Sequence, residues 1–222
     1  MKLRDSVIIV TGSATGLGSA IIKQVAAKGA RVVINYTKSE KEAHETEAVC
    51  DYLGVESILC KADVSVDEDC RRMADLCMEK WGRIDGLVNN AARSVFANSK
   101  DLDALDGQQF MDVYSVNVVG AYQMTRAAAP HMKAGGDGSI VNVSSISALT
   151  GAGSSIAYVA SKGALNTMTT ALARALAPEI RVNAVLPGAF PSRWWGDGLG
   201  EEGAKALFES FTNQVPLKET AD

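Results

Sequence analysis

The chain has 222 residues, 47% hydrophobic and 22% charged, enough for one sizeable core and short for two domains. Its 22 Lys and Arg stand against 26 Asp and Glu, giving a net charge of −4 with no dense basic cluster, which argues against a nucleic-acid surface. No apolar run reaches membrane-spanning length, and Met1-Lys2-Leu3-Arg4 runs on without a cleavage pattern, so no membrane partner and a cytoplasmic location are expected. Four cysteines (Cys50, Cys60, Cys70, Cys77) lack Cys-x-x-Cys spacing, and His44 and His131 are the only histidines. No metal site or disulfide framework is expected.

Short β-branched runs alternate with longer amphipathic ones. Val7-Ile8-Ile9-Val10 predicts a buried strand, and residues 16–28 a helix closed by Gly29. A second strand over 31–35, a charged helix over 39–53 and a third strand over 57–60 follow. Ser65 is the expected N-cap of the next helix, with Glu68 completing a capping box. Cys70 and Cys77, seven residues apart on that helix, share a face and read as reduced, partly buried thiols. Then come a strand over 86–89, one long helix over about 105–131, a strand over 139–144, a helix over 155–176 and a strand over 180–186. This alternation predicts an α/β fold, a doubly wound parallel sheet in three α/β/α layers, with a ligand at the carboxyl ends of its strands. Residues 188–203, rich in Gly and aromatics, and a short helix over 201–211 read as a flap at about 188–212. One domain over 1–222 is therefore expected.

Thr11-Gly12-Ser13-Ala14-Thr15-Gly16-Leu17-Gly18 follows the first strand and opens the first helix. Glycines there permit a tight turn and close approach of backbone N–H groups to a pyrophosphate at the helix N-terminus. The absence of Gly-Lys-Ser/Thr excludes a P-loop. Dinucleotide binding is expected.

Tyr158 and Lys162, four apart on a predicted helix, share one face. An ammonium beside a phenol favours the phenolate and is expected to pull the tyrosine below its ordinary pKa of about 10. Such a phenol exchanges a proton with a substrate oxygen near neutral pH. Ser145 lies thirteen residues upstream of the tyrosine.

Thr-Gly-x-x-x-Gly-x-Gly, Asn89-Asn90-Ala91, Asn117, Ser145, Tyr158-x-x-x-Lys162 and Pro187-Gly188 occur together in this order. In this the chain resembles the single-domain branch of the short-chain dehydrogenase/reductases, which includes 3-oxoacyl-carrier-protein reductases and polyol or sugar dehydrogenases. The resemblance runs from Lys2 to about Asp222. The glycine spacing differs from the Gly-x-x-Gly-x-x-Gly of the extended branch of epimerases and dehydratases. It implies a Rossmann-like fold and an NAD(P)-dependent oxidoreductase acting on a secondary alcohol or ketone. Tyr158 is implied as proton donor or base, and Lys162 as the group that lowers its pKa and binds the nicotinamide ribose. Ser145 is implied on the substrate oxygen, and Asn117 at a water that links Lys162 to solvent. Ser144 rivals Ser145 by type, and Asn117 could simply interrupt an apolar helix. The cofactor residues implied are Gly12, Ser13, Thr15, Gly16, Leu17, Gly18, Thr37, Lys38, Asp63, Val64, Asn90, Ala91, Tyr158, Lys162, Pro187, Gly188 and Phe190. Helix capping competes as a reading for Asp63, and strand termination for Pro187-Gly188.

NAD-preferring relatives carry an acidic residue about where Tyr36 stands. Its absence, with Thr37 and Lys38 following, favours NADP over NAD. Against that choice, no Arg or Lys stands at Ser13, Ala14 or Thr15. Three features depart from the family pattern. Ala92 stands where glycine is usual, which requires a negative φ. Members continue past Asp222 with another helix and a last strand that help build a homo-oligomer (dimer or tetramer), so this chain is either trimmed before them or without them. Trp194 and Trp195 either wall an apolar or sugar-like substrate or pack on a neighbouring subunit. Arg126 and Arg174 are available for carrier-protein docking but equally suit solvent-facing helix positions. The alternative function is a non-catalytic cofactor-binding sensor or assembly protein.

Overall fold

The computed structural model describes residues 2–219; Met1 and the final three residues lie outside the described residues. The strands are β1 (Val7–Val10), β2 (Arg31–Tyr36), β3 (Ser57–Lys61), β4 (Gly86–Asn89), β5 (Gly138–Val143) and β6 (Ile180–Val185). They form a parallel six-stranded sheet in the order β3-β2-β1-β4-β5-β6. The helices are α1 (Gly16–Ala26), α2 (Glu40–Tyr52), α3 (Asp67–Trp81), α4 (Gly107–Tyr114), α5 (Ala121–Gly135), α6 (Ser147–Thr150), α7 (Ile156–Leu176) and α8 (Arg193–Gln214). None is long and apolar enough to cross a membrane.

β1 is apolar throughout because both of its faces are covered. Val7 and Ile9 join Met73 and Cys77 of α3 and Met124 and Met132 of α5 in one cluster. Ile8 and Val10 join Ile22 and Ala26 of α1 and Ala43 and Cys50 of α2 in another. In register, Ile9 lies between Val33 of β2 and Leu87 of β4. Burying such a side chain contributes about 1.5–3 kcal/mol relative to leaving it exposed. All four cysteines are free and buried, with Cys70 and Cys77 on one cluster as expected. Burial pushes both thiols up to about 12, so they stay protonated.

Three predicted elements form differently. The Ser65 cap is absent: Val66 occupies the N-cap of α3 with no side-chain bond. The Asp63 carboxylate accepts instead from Ser65 N (2.9 Å) and Ser65 Oγ (2.7 Å), and Asp69 accepts from Asp63 N at 2.7 Å. The Ser65 hydroxyl is thereby spent as a donor to a charged acceptor instead of capping the helix. The long helix expected over 105–131 is interrupted. Asp106 and Gln109 form a capping box at α4, then Ser115–Gly120 turns as a π-helix before α5 begins. Gly120 presses against Val64 there, where a Cβ would come 2.7 Å from Val64 Cγ2. The last helix starts well before residue 201 and breaks at Gly200 (φ 72°, ψ 165°), because Trp194 and Trp195 find aromatic partners that draw 193–199 into helix.

Candidate active site

The strand order reverses between β1 and β4, so the loops after these strands diverge and open a crevice at the carboxyl edge. The turn after β1 lies in that crevice. Gly12 N donates to Asn35 Oδ1 at 2.8 Å and Ser13 N to Asn35 O at 2.8 Å. Ser13 Oγ donates to Val10 O and accepts from Asn35 N. Asn35 Nδ2 reaches Cys60 O and Ala62 O, so one side chain ties the ends of β2 and β3 to the glycine turn. No sequence motif singles out Asn35; a buried polar residue closing the apolar run of β2 is its signal.

The amides of Gly16, Leu17 and Gly18 form the first turn of α1 and have no intrahelical acceptor. Gly16 (φ +53°) has open space where a side chain would project. At Gly18 a Cβ would overlap Gly12 O and come 2.6 Å from Asn90 Nδ2; at Gly12 it would come 2.9 Å from Ala91 Cα. Thr15 is the N-cap and makes no side-chain cap bond. Outward-facing amides, a glycine that keeps the approach open and a positive helix end fit a dinucleotide pyrophosphate.

The other predicted cofactor residues lie along the same edge. Thr11 Oγ1 accepts from Asn90 N and Ala91 N, while Asn90 Nδ2 donates to Thr11 O and Gly12 O, so Asn90 braces the glycine turn. Ala92 is accommodated: Asp5 and Lys218 are the described non-glycine residues with positive φ. Thr37 and Lys38 are exposed just past β2, next to Tyr36, whose phenol is pushed up by burial and by nearby Glu40. Asp63 closes the turn before α3, and buried Val64 accepts from Gln123 Nε2 (2.8 Å) through its carbonyl. Pro187 O accepts from Ile146 N, a Cβ at Gly188 would lie 3.7 Å from Ile146 Cδ1, and Phe190 O accepts from Trp195 Nε1.

Asn117 sits in the π-helical turn, a geometry frequent at functional sites. Its Oδ1 accepts from Arg93 N (2.8 Å), and its Nδ2 donates to Arg93 O (3.0 Å) and Ser161 Oγ (2.9 Å). Ser161 Oγ in turn donates to Tyr158 O. Arg93 pairs with Asp112 of α4 at 2.9 Å. The loop after β4 and the first turns of α7 are therefore held by one amide. Ser155, the N-cap of α7, accepts from Tyr158 N at 3.2 Å and fixes the turn that carries the tyrosine.

Ser145, Tyr158 and Lys162 converge at the mouth of the crevice. Ser145 Oγ donates to Ser147 Oγ at 3.0 Å, and the Ser145 hydroxyl is near enough to the Tyr158 phenol to favour its ionised form. Ser144, the rival by type, is buried and turned toward Lys162 O. Lys162 is 2% exposed; its Nζ donates to Val143 O at 2.8 Å and stands 5.5 Å from the centre of the Tyr158 ring. Among the described residues that carbonyl is its one acceptor, so further N–H groups are free for ribose hydroxyls, and the residues fit that half of a nicotinamide nucleotide as well. Burial lowers Lys162 to about 8. Tyr158 corrects the expectation from spacing: burial raises its pKa, the nearby Ser145 hydroxyl opposes this, and Lys162 does not bring it below the ordinary value. The phenol is protonated at neutral pH.

Trp194 stacks obliquely beside Tyr158, ring centres 6.0 Å apart, and meets Phe96 at 6.5 Å. Trp195 meets Phe96 (6.0 Å), Phe208 (5.9 Å) and Phe211 (6.2 Å). Of the two readings of the tryptophan pair, this packing places both rings within the chain's own site region. Arg126 is paired with Asp67 of α3. No group of three or more His, Cys, Asp or Glu among the described residues is placed to hold a metal.

A doubly wound parallel sheet with a glycine turn at its switch point, and serine, tyrosine and lysine beside it, defines a nicotinamide-dependent oxidoreductase acting on alcohols or carbonyls. The chain belongs to the short chain dehydrogenase family, whose model matches residues 6–210. It is 40% identical over 188 residues to a granaticin polyketide synthase protein of Streptomyces violaceoruber described as a ketoacyl reductase, covering 85% of this chain and 74% of that one. It is 35% identical over 224 residues to the chloroplastic NADPH-dependent aldehyde reductase 1 of Arabidopsis thaliana, covering 98% and 75%. Among solved structures, NAD+-bound xylitol dehydrogenase is 29% identical with a TM-score of 0.90, over 100% of this chain and 89% of that one. The family and its reductase and dehydrogenase members favour an enzyme over the non-catalytic alternative.

Proposed function

We propose that this oxidoreductase reduces a ketone or aldehyde with Tyr158 as the proton donor, and runs the reverse with Tyr158 as base. The observation that carries this is the hydroxyl pair of Ser145 and Tyr158 beside the buried Lys162 ammonium, at the crevice where the glycine turn lies. The nicotinamide, when bound, supplies hydride to the carbonyl carbon. Everything else falls to side chains. Ser145 donates a hydrogen bond to the carbonyl oxygen and holds it against the phenol. As negative charge develops on that oxygen, Tyr158 transfers its proton to it. The phenolate left behind is stabilised by the Lys162 ammonium 5.5 Å from the ring, and a proton from solvent restores it. Asn117 holds the Arg93 loop and Ser161 so that the tyrosine keeps its place, and serves the water route to Lys162. Cofactor consumption against a carbonyl panel tests the reading.

We infer a preference for NADP over NAD. No carboxylate stands at Tyr36 to take a ribose 2′-hydroxyl, and exposed Thr37 and Lys38 offer a donor and a cation to a 2′-phosphate. Glu40, near the Tyr36 phenol, is an acidic neighbour such a phosphate must tolerate. Lys38→Glu is expected to weaken NADPH by roughly tenfold or more while NADH changes by less than about threefold. Equal losses for both nucleotides in steady-state kinetics would refute the preference. Asp63 and Val64 are assigned to the adenine, Asn90 and Ala91 to the adenosine path, and Pro187, Gly188 and Phe190 to the nicotinamide.

Self-association is part of the same reading. Met111 (62% exposed), Val119 (42%) and Tyr122 (45%) leave apolar surface on the stretch from α4 to α5. A dimer or tetramer would cover it, and light scattering should report a multiple of the 23.4 kDa chain; a monomer at micromolar concentration would contradict this.

A further inference from the structure

We propose that Trp194, backed by Phe96, is the specificity-determining wall of this site, selecting carbonyl compounds that carry an apolar ring over polyhydroxylated ones of similar size. The inference rests on Tyr158 as the proton donor. A carbonyl oxygen held at the Tyr158 and Ser145 hydroxyls places its substituents beside the Trp194 indole, whose centre is 6.0 Å from the tyrosine ring. The wall cannot recede easily. Phe96 lies against Gly198, where a Cβ would overlap its ring, and Trp195 closes in on it as well. Trp195 is itself fixed by Phe208, Phe211 and a hydrogen bond from Nε1 to Phe190 O at 3.1 Å. Just past Ser145, the exposed apolar side chains Ile146 (44%) and Leu149 (75%) continue the same character.

Among the described residues, the polar groups of this rim have partners: the Ser94 and Ser154 hydroxyls pair with each other at 2.5 Å, and Arg93 pairs with Asp112. A substrate with several hydroxyls would desolvate them against aromatic surface, whereas a flat or alicyclic ring gains contact with the indole face. One unpaired buried hydroxyl weakens binding by roughly tenfold or more.

The test compares cyclohexanone and benzaldehyde with glyceraldehyde and propanal in steady-state reduction by NADPH, using wild type, Trp194→Ala, Trp194→Phe and Tyr158→Phe. Wild type should favour the ring carbonyls over glyceraldehyde by about tenfold or more in kcat/KM. Trp194→Ala should lower kcat/KM for the ring carbonyls by about tenfold, chiefly through KM, with a loss for propanal at least about fivefold smaller; Trp194→Phe should recover much of it. Equal losses for ring carbonyls and propanal, a wild-type preference for glyceraldehyde, or no turnover of either ring carbonyl would overturn the assignment. If that pattern fails while Tyr158→Phe still abolishes turnover, the wall is wrong and the proton donor stands. Full turnover by Tyr158→Phe removes the proton donor, and the wall assignment with it.

Discussion

Tyr158→Phe is expected to lower kcat for carbonyl reduction by roughly 10²–10⁴-fold while leaving the Kd for the reduced nucleotide within about threefold. The substitution removes one hydroxyl and keeps the ring, so the contact with Trp194 and the packing over Lys162 persist. What disappears is the proton that must reach the substrate oxygen as it becomes an alkoxide. The raised pKa of the phenol makes the effect larger for reduction than a spacing argument would suggest, because nearly all of the tyrosine carries its proton at neutral pH. For the reverse reaction the same burial is a handicap: the phenolate has to be generated before it can accept a proton, so alcohol oxidation should improve as pH rises. Stability should change by no more than about 1 kcal/mol, because the ring and its packing against Trp194 stay in place. Stopped-flow turnover and nucleotide titration would separate the two quantities. Wild-type turnover by Tyr158→Phe would remove Tyr158 from the chemistry.

The doubly wound sheet was legible because its evidence is local and repeated. Each strand is a short apolar run, each helix has its own period, and the glycine turn sits where strand gives way to helix. Helical spacing paired Tyr158 with Lys162, and the family resemblance added Ser145. The remaining features depend on groups distant in the chain. Asn117 looks like any polar residue on an apolar helix; the π-helical turn around it goes with the clasp on the Arg93 backbone and with Gly120 meeting Val64. Ser65 obeys every local rule for an N-cap and loses to Asp63 and Asp69, whose charges the rule ignores. The tyrosine pKa escapes the sequence for a related reason: spacing reports that an ammonium is near, but not that Lys162 is buried and Tyr158 half-buried, or that Val143 O already accepts from the amine. Trp194 and Trp195 show no partner in the sequence pattern because theirs is Phe96, far upstream.

Lys162→Met should abolish reduction and, at the same time, make the nucleotide-free protein more stable. The methionine keeps most of the stem volume, so the space beside Tyr158 stays filled. It removes an ammonium that is 2% exposed and has one carbonyl for company. The fall of Lys162 from its ordinary 10.5 to about 8 corresponds to a penalty on the order of 3 kcal/mol. That penalty is present in full below pH 8, where folded and unfolded chains both carry the proton. Between about 8 and 10.5 the folded chain releases it and the unfolded chain keeps it, so this group's contribution makes stability rise with pH and then level off. In Lys162→Met that rise should vanish, and at pH 7 the variant should gain about 1–3 kcal/mol, roughly 3–10 °C in Tm for a chain of this size. Part of the gain is offset because Val143 O loses its donor. Thermal melts of both proteins from pH 6 to about 10 measure this directly. If Lys162→Met melts lower than wild type at pH 7, the buried ammonium holds the fold together, and the fold does not bear it for the sake of Tyr158 and the nucleotide ribose.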